Sequence, residues 1–152
     1  MMIFENQKFK WDMANSFTKL LEENDLKKTQ PRLSVLKVLT SREMATSQPD
    51  LEAILGKEID RVTLYRTLKT FEDKGIIHKV IDHKGTANYA MCSHQCNAKE
   101  HHHDHLHFNC TQCNHLYCLD ECVLPQFTVP AGYQVENVQL IATGICAKCR
   151  QA

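Results

Sequence analysis

No stretch of this 152-residue chain approaches the ~18 consecutive apolar residues that a membrane-spanning helix needs. Its opening, MMIFENQKFKWD, also lacks the apolar core of a secretory leader. Both absences lead us to expect a cytoplasmic protein. Net charge is missing as well. Lys plus Arg and Asp plus Glu stand at 18 each, so overall charge makes no global case for nucleic acid. The first 91 residues contain no cysteine, and that last absence divides the chain.

With 43% hydrophobic and 24% charged residues, the chain can bury an ordinary core and is not disordered throughout. All eight cysteines (92, 96, 110, 113, 118, 122, 146 and 149) fall in the last 61 residues, and seven of nine histidines lie between His94 and His115. Residues 1–92 carry 15 basic against 13 acidic side chains, and residues 93–152 carry 3 against 5. In a cytosolic chain such clustered Cys and His read as metal ligands rather than as a disulfide framework. Two units follow, the second holding metal.

In the first unit, Met13, Phe17, Leu20 and Leu21 repeat at helical spacing and predict an amphipathic helix over Asp12–Asp25. Pro31, behind a Thr29 that can cap, marks a second helix running through Leu33, Leu36 and Leu39 to near Ser41. A short helix over about Pro49–Leu55 stops at Gly56. The next helix has Asp60 as a candidate cap and Gly75 as a candidate left-handed terminator. Leu64, Leu68 and Phe71 form its apolar stripe, with Arg66 and Lys69 nearly opposite and Tyr65 beside them. Ile76–Ile81 and Thr86–Met91 then read as two strands joined by Asp82-His83-Lys84-Gly85.

Helices followed by such a hairpin make a winged helix-turn-helix, whose last helix enters the major groove. Tyr65 suits a thymine methyl and Arg66 a base edge or phosphate. Arg61 and Thr63, on the same helix, join them as candidate DNA contacts. Lys27, Lys28 and Arg32 add a positive cluster before the second helix. The plainer alternative is a solvated basic helix face.

In the second unit, Cys110-x-x-Cys113 and Cys146-x-x-Cys149 can close a four-sulfur tetrahedral site whose expected role is structural. No βαβ pattern surrounds either pair, which argues against a thioredoxin-like redox motif. Upstream, a strand over residues 104–109 would turn His103, His105 and His107 to one side and Asp104 and Leu106 to the other. Cys118 would lie on the return strand close to them. His78 and Cys92, at the ends of the hairpin, can supply ligands from the first unit, coupling the orientation of one unit to the other. Cys96 and Cys122 are spare thiols, while His83, His94 and His115 read as bystanders. A zinc deaminase would want His-x-Glu and Pro-Cys-x-x-Cys; neither occurs, and no carboxylate is placed as a general base, so the chain does not read as an enzyme.

From about Ala14 to Arg150 the chain resembles the ferric-uptake-regulator (Fur) family of bacterial metal-sensing repressors. The residues that carry the likeness are Pro31-Arg32, Thr63-Leu64-Tyr65-Arg66-Thr67-Leu68, Phe71–Ile77, the His-rich run closing on Cys110-x-x-Cys113, and Gly144-Ile145-Cys146-x-x-Cys149. The resemblance implies an α+β chain: a winged helix-turn-helix DNA-binding domain over residues 1–92, a hinge and metal-ligand loop over 93–103, and a zinc-binding dimerisation domain over 104–152. It implies a homodimer gripping an inverted repeat in double-stranded DNA. Tyr65 and Arg66 match the DNA-reading pair, Arg32 a backbone contact, and the two CxxC pairs the structural zinc site.

Two departures bear on the metal. Thr46-Ser47-Gln48 stands where iron- and peroxide-sensing members usually place a histidine, and Cys118 replaces a carboxylate, so the site is richer in sulfur and favours zinc. The zinc-sensing (Zur) members, which carry a Cys where Cys92 falls, point to His78, Cys92, His107 and either His103 or His105, with Cys118 competing. The expectation is a zinc-responsive repressor of metal-uptake genes. Its alternatives are an iron-, manganese- or peroxide-responsive relative and a zinc-buffering protein without a DNA role. A third departure concerns the dimer. Pro125 and Pro130 exclude the long helix that members carry after the first CxxC, leaving a reduced, β-rich domain in which Tyr133–Ala142 reads as a strand.

Overall fold

The computed structural model describes residues 15–92, 105–120, 122, 125–136 and 138–152. Residues 15–23 are helical (α1), followed by α2 (Gln30–Thr40), strand β1 (Thr46–Ser47), α3 (Gln48–Leu55) and α4 (Arg61–Asp73). Next come β2 (Ile77–Ile81), β3 (Ala87–Met91), β4 (Leu106–Cys110), β5 (Leu116–Leu119), β6 (Ile141–Gly144) and α5 (Ala147–Gln151). The proposed hinge over residues 93–103, with His94, Cys96, His101, His102 and His103, lies outside the described residues.

The helix boundaries follow local chemistry. Asp60 accepts from the Thr63 backbone N–H at 3.0 Å and from its hydroxyl, satisfying two donors at the start of α4. Gly75, at φ 70°, takes the left-handed position after α4, and Ile76 N–H closes back on the Phe71 carbonyl at 2.9 Å. Ser47 caps α3 through Asp50 N–H at 3.2 Å. Thr29 occupies the cap position of α2, but its side chain makes no capping hydrogen bond; Pro31 in the first turn removes one donor that needed satisfying.

Leu64, Leu68 and Phe71 of α4 pack with Val35, Leu36 and Leu39 of α2, Leu51 of α3, and Phe17 and Leu21 of α1 in one core. The hairpin β2–β3 lies against it, with β1 completing a three-stranded antiparallel sheet in the order β1-β3-β2. This is a winged helix-turn-helix. A second sheet, β5-β4-β6, pairs β4 antiparallel with β5 and parallel with β6.

The strand expected over Tyr133–Ala142 is shorter than its pattern. Only Ile141–Gly144 is strand, and the described residues of 133–140 are irregular. The reason is pairing: β6 pairs with β4 from His107–Ile141 to Cys110–Gly144, the Leu140 carbonyl accepts from His107 N–H at 2.9 Å, and β4 begins at Leu106, so among the described residues those before Leu140 meet no further strand. An alternating sequence without an adjacent strand cannot form a ladder.

The two sheets meet at a small seam. Ala45 N–H donates to the Leu116 carbonyl at 2.9 Å in an isolated antiparallel bridge. Ala45, Val80 and Leu116 form a buried apolar cluster with Ala90 and Ile141 against it. Lys84 Nζ to Asn114 Oδ1 (2.9 Å), Gln139 Nε2 to the Lys79 carbonyl (3.2 Å) and a contact between Asn109 and His83 continue the seam.

Candidate metal centres and nucleic-acid interface

His107 and Cys118 face each other directly across β4 and β5, the position where side chains on one sheet face meet. His105 precedes β4 by one residue and points to the same side; its ring centroid lies 4.5 Å from that of His107. His78, on β2, reaches across the seam from the winged helix. His78 Nε2 lies 3.3 Å from His107 Nε2 and 3.5 Å from Cys118 Sγ. One ligand atom from each of His78, His105, His107 and Cys118 falls within 4.8 Å of every other.

These separations have a simple meaning. A tetrahedral zinc with nitrogen ligands at ~2.0–2.1 Å and sulfur at ~2.3 Å sets its nitrogens ~3.3 Å apart and nitrogen from sulfur ~3.6 Å. The measured 3.3 and 3.5 Å match those edges, so the donor set fits a four-coordinate ion. All three histidines are buried. Burial, and secondarily the charge of Asp120, push the Cys118 thiol up to about 12, and a bound cation reverses that penalty. Asp120 also stands 3.6 Å from His105 Nδ1, placed to orient that ring.

Of the residues expected at this site, Cys92 is set apart from the cluster: its sulfur lies 3.7 Å from His78 Nδ1, on the ring nitrogen opposite the one facing His107. His103 lies outside the described residues. Sequence reasoning missed Asp120 and Asn109. Asn109 was open to inference, since it lies two residues beyond His107 and therefore on the same face of β4. His83, read as a bystander, meets it.

The second cluster is Cys110, Cys113, Cys146 and Cys149, whose sulfurs also lie within 4.8 Å of one another. Asn114, at φ 58°, lets the chain turn back after Cys113, and Cys110 N–H donates to the His115 carbonyl at 2.9 Å. Backbone N–H groups of Cys113 and then Cys146 hold the Cys110 thiol down to about 6, whereas the Cys146 side chain holds Cys149 up to about 12. Four thiolates so close together require a cation to coexist, and the Cys113–Cys146 sulfur separation of 3.9 Å is near the ~3.8 Å edge of a tetrahedral zinc–thiolate site. Cys122 belongs to neither cluster.

On α4, Val62, Tyr65 and Arg66 form the exposed face, with Tyr65 56% accessible. Lys69, on that face, is paired with Asp73 at 2.7 Å. Arg61 is paired with Glu52 at 3.3 Å, Thr63 serves the Asp60 cap, and Arg32 donates to the Lys27 carbonyl at 2.6 Å. Lys28 is exposed. Tyr65 and Arg66 are thus the polar residues on α4 whose side chains stand outward without a structural partner among those described.

Comparison with known proteins agrees with this architecture. The ferric uptake regulator family pattern matches residues 23–142. The chain belongs to the ferric uptake regulator family. The ferric uptake regulation protein of Neisseria meningitidis is 30% identical over 138 residues, covering 86% of this chain and 90% of its own. That of Yersinia pestis is 31% identical over 143 residues, covering 88% and 91%. A solved zinc uptake regulator complexed with zinc and DNA superimposes with a TM-score of 0.66 at 20% identity, covering 93% of this chain and 95% of that one. At that identity the likeness carries the fold. As a family member the chain is a metal-responsive transcriptional regulator that binds DNA and dimerises, and it is not an enzyme. Among the described residues no helix is long and apolar enough to cross a membrane.

Proposed function

We propose that this protein is a zinc-responsive repressor of metal-uptake genes, acting in the cytoplasm. The observation that carries the reading is the spacing of His78, His105, His107 and Cys118, which suits a tetrahedral ion with three nitrogens and one sulfur. A thiolate in that set favours zinc over ferrous iron or manganese, which take harder donors more readily. Cys92 supports His78 from its other nitrogen, and His103 is kept as a further candidate ligand. Cys110, Cys113, Cys146 and Cys149 hold a second, structural zinc.

On this reading the chain divides into a DNA-binding domain over 1–92, a hinge and ligand loop over 93–103, and a dimerisation domain over 104–152. When bound, zinc supplies a fixed bond between the two. His78 is the side chain that transmits it: by joining the β4–β5 ligands it holds α4 at one orientation, so that two copies match the half-sites of an inverted repeat. Tyr65 and Arg66 read base edges, while Lys28, Arg32, Arg61 and Thr63 approach the backbone. Phosphate contacts make the affinity fall with salt.

A second reading is favoured by the relatives named as ferric uptake regulation proteins, in which iron is the sensed metal. A competitive titration separates the two. Protein retaining its four-cysteine zinc is titrated with buffered zinc, iron(II) or manganese(II), and anisotropy of a labelled inverted-repeat duplex reports binding. Zinc acting at far lower free concentration supports the zinc reading; iron or manganese acting first replaces it.

A further inference from the structure

Among the described residues, no helix lies on the face of the β5-β4-β6 sheet that carries Phe108 and Tyr117. Phe108, Tyr117, Leu119 and Ile145 line a groove of about 470 Å³ there, with Glu43 and Lys148 at its rim. Gly144 keeps its floor low, since a Cβ at that position would stand 3.1 Å from the Phe108 ring. No described helix covers this face, and Pro125 and Pro130 keep the segment after β5 from forming one long enough to do so.

The same chain carries a second unpartnered apolar feature. In the irregular arm over residues 125–136, Phe127, Val129, Tyr133 and Val135 are exposed, Tyr133 by 72% and Phe127 by 55%. The arm begins six residues after Leu119 in the sequence, and none of its residues is among those that line the groove. Phe127 and Val129, and again Tyr133 and Val135, are two residues apart, so an extended arm presents each pair to one side. An exposed apolar arm and an exposed apolar groove on one molecule are complementary surfaces.

We propose that in the homodimer each arm lies in the groove of the second copy, Phe127 and Tyr133 seating against Phe108, Leu119 and Ile145 of that copy. The exchange is reciprocal, which is what two-fold symmetry requires: each copy gives an arm and receives one. Each arm brings apolar area on the order of 400 Å². With the smaller area of the groove beneath it, and doubled by symmetry, the exchange buries on the order of 1,000 Å², the lower end for a specific interface. The pairing does not depend on which metal is sensed.

The test uses the full chain. Photoreactive p-benzoylphenylalanine replaces Phe127, and the protein is mixed with an isotopically heavy copy, irradiated, digested and read by mass spectrometry. Crosslinks to peptides containing Leu119 or Ile145 that join light and heavy chains are expected. Crosslinks to those peptides within one chain, or to other surfaces, overturn the exchange. In parallel, Phe127→Asp combined with Tyr133→Asp raises the dimer dissociation constant ~100-fold or more by sedimentation equilibrium. Because both side chains are exposed in one chain, the variant keeps its helicity and its tightly held zinc. Ile145→Glu, from the groove side, has the same effect. Wild-type dimerisation in all these variants overturns the proposal.

Discussion

Replacing His78 by alanine separates binding of metal from its use. His78 is the one member of the four-residue cluster that comes from the winged helix; His105, His107 and Cys118 all lie on or beside β4 and β5. If four ligands share the ~10–16 kcal/mol of a protein zinc site about equally, one is worth roughly 3 kcal/mol, or ~100-fold in affinity. His78→Ala and His105→Ala are therefore expected to weaken zinc binding by a similar factor of ~100. Their effects on DNA differ. With zinc raised to saturation, His105→Ala recovers metal-dependent DNA binding, because His78 still bridges the seam. His78→Ala does not, because the remaining ligands have no differential affinity for the DNA-competent orientation, and such a ligand shifts no equilibrium however tightly it binds. Zinc affinity by competition with a chromophoric chelator and DNA affinity by anisotropy give the two readouts. Zinc-dependent DNA binding in saturated His78→Ala would refute the bridging role.

Three other outcomes are expected. Arg66→Ala weakens DNA binding and relaxes discrimination at the base pair it reads by ~1–3 kcal/mol, leaving zinc stoichiometry unchanged by elemental analysis. Cys118→Asp exchanges a soft donor for a hard one, so the competitive metal titration shows zinc affinity falling while the gap to manganese(II) narrows. Thr63 holds the Asp60 carboxyl below its usual value, first through its hydroxyl and then its backbone N–H. The stability this cap gives α4 is present above pH ~4, where an unfolded Asp is ionised, and is lost as pH falls through the lower folded value. The Tm difference between wild type and Asp60→Ala is thus widest near neutral pH and vanishes in acid.

What the sequence made legible was governed by short-range rules. Asp60, Gly75, Pro31 and Gly56 punctuate helices through groups within four residues, and the period-two alternation of His105 and His107 put both on one face of β4. The CxxC spacing likewise states its own geometry. Contacts between distant segments left no such trace. Nothing in Ala45 or Thr46 marks them as strand partners for Leu116 and Tyr89; those pairings exist because the folded helices and hairpin deliver the backbone there. Tyr133–Ala142 shows the converse: its alternation is real, but a strand needs a neighbour, and only Ile141–Gly144 has one. Which histidines converge with His78 depends on how the two sheets meet, and that is fixed at the seam.

On the proposed zinc-switch reading, the seam sets the working range. Ala45, Val80 and Leu116 bury little surface compared with the main core, so the closed arrangement starts with modest support of its own and the metal ligands complete it. A ligand's apparent affinity falls in proportion to the fraction of chains already competent to bind it. Leu116, 1% exposed at the centre of this patch, is where that fraction can be altered without touching a ligand. Truncating a buried leucine to alanine costs ~2–5 kcal/mol, and the part of that cost falling across the seam lowers the closed population before metal arrives. If half of the lower figure does so, Leu116→Ala raises the zinc concentration for half-maximal DNA binding by roughly fivefold. DNA affinity at saturating zinc stays near wild type, since the ligands and α4 are intact. Retention of the tightly held zinc shows that the second sheet has kept its fold. With that control met, an unchanged zinc midpoint would mean that the seam packs equally well whether or not the metal ligands meet, and the switch would then have to lie elsewhere.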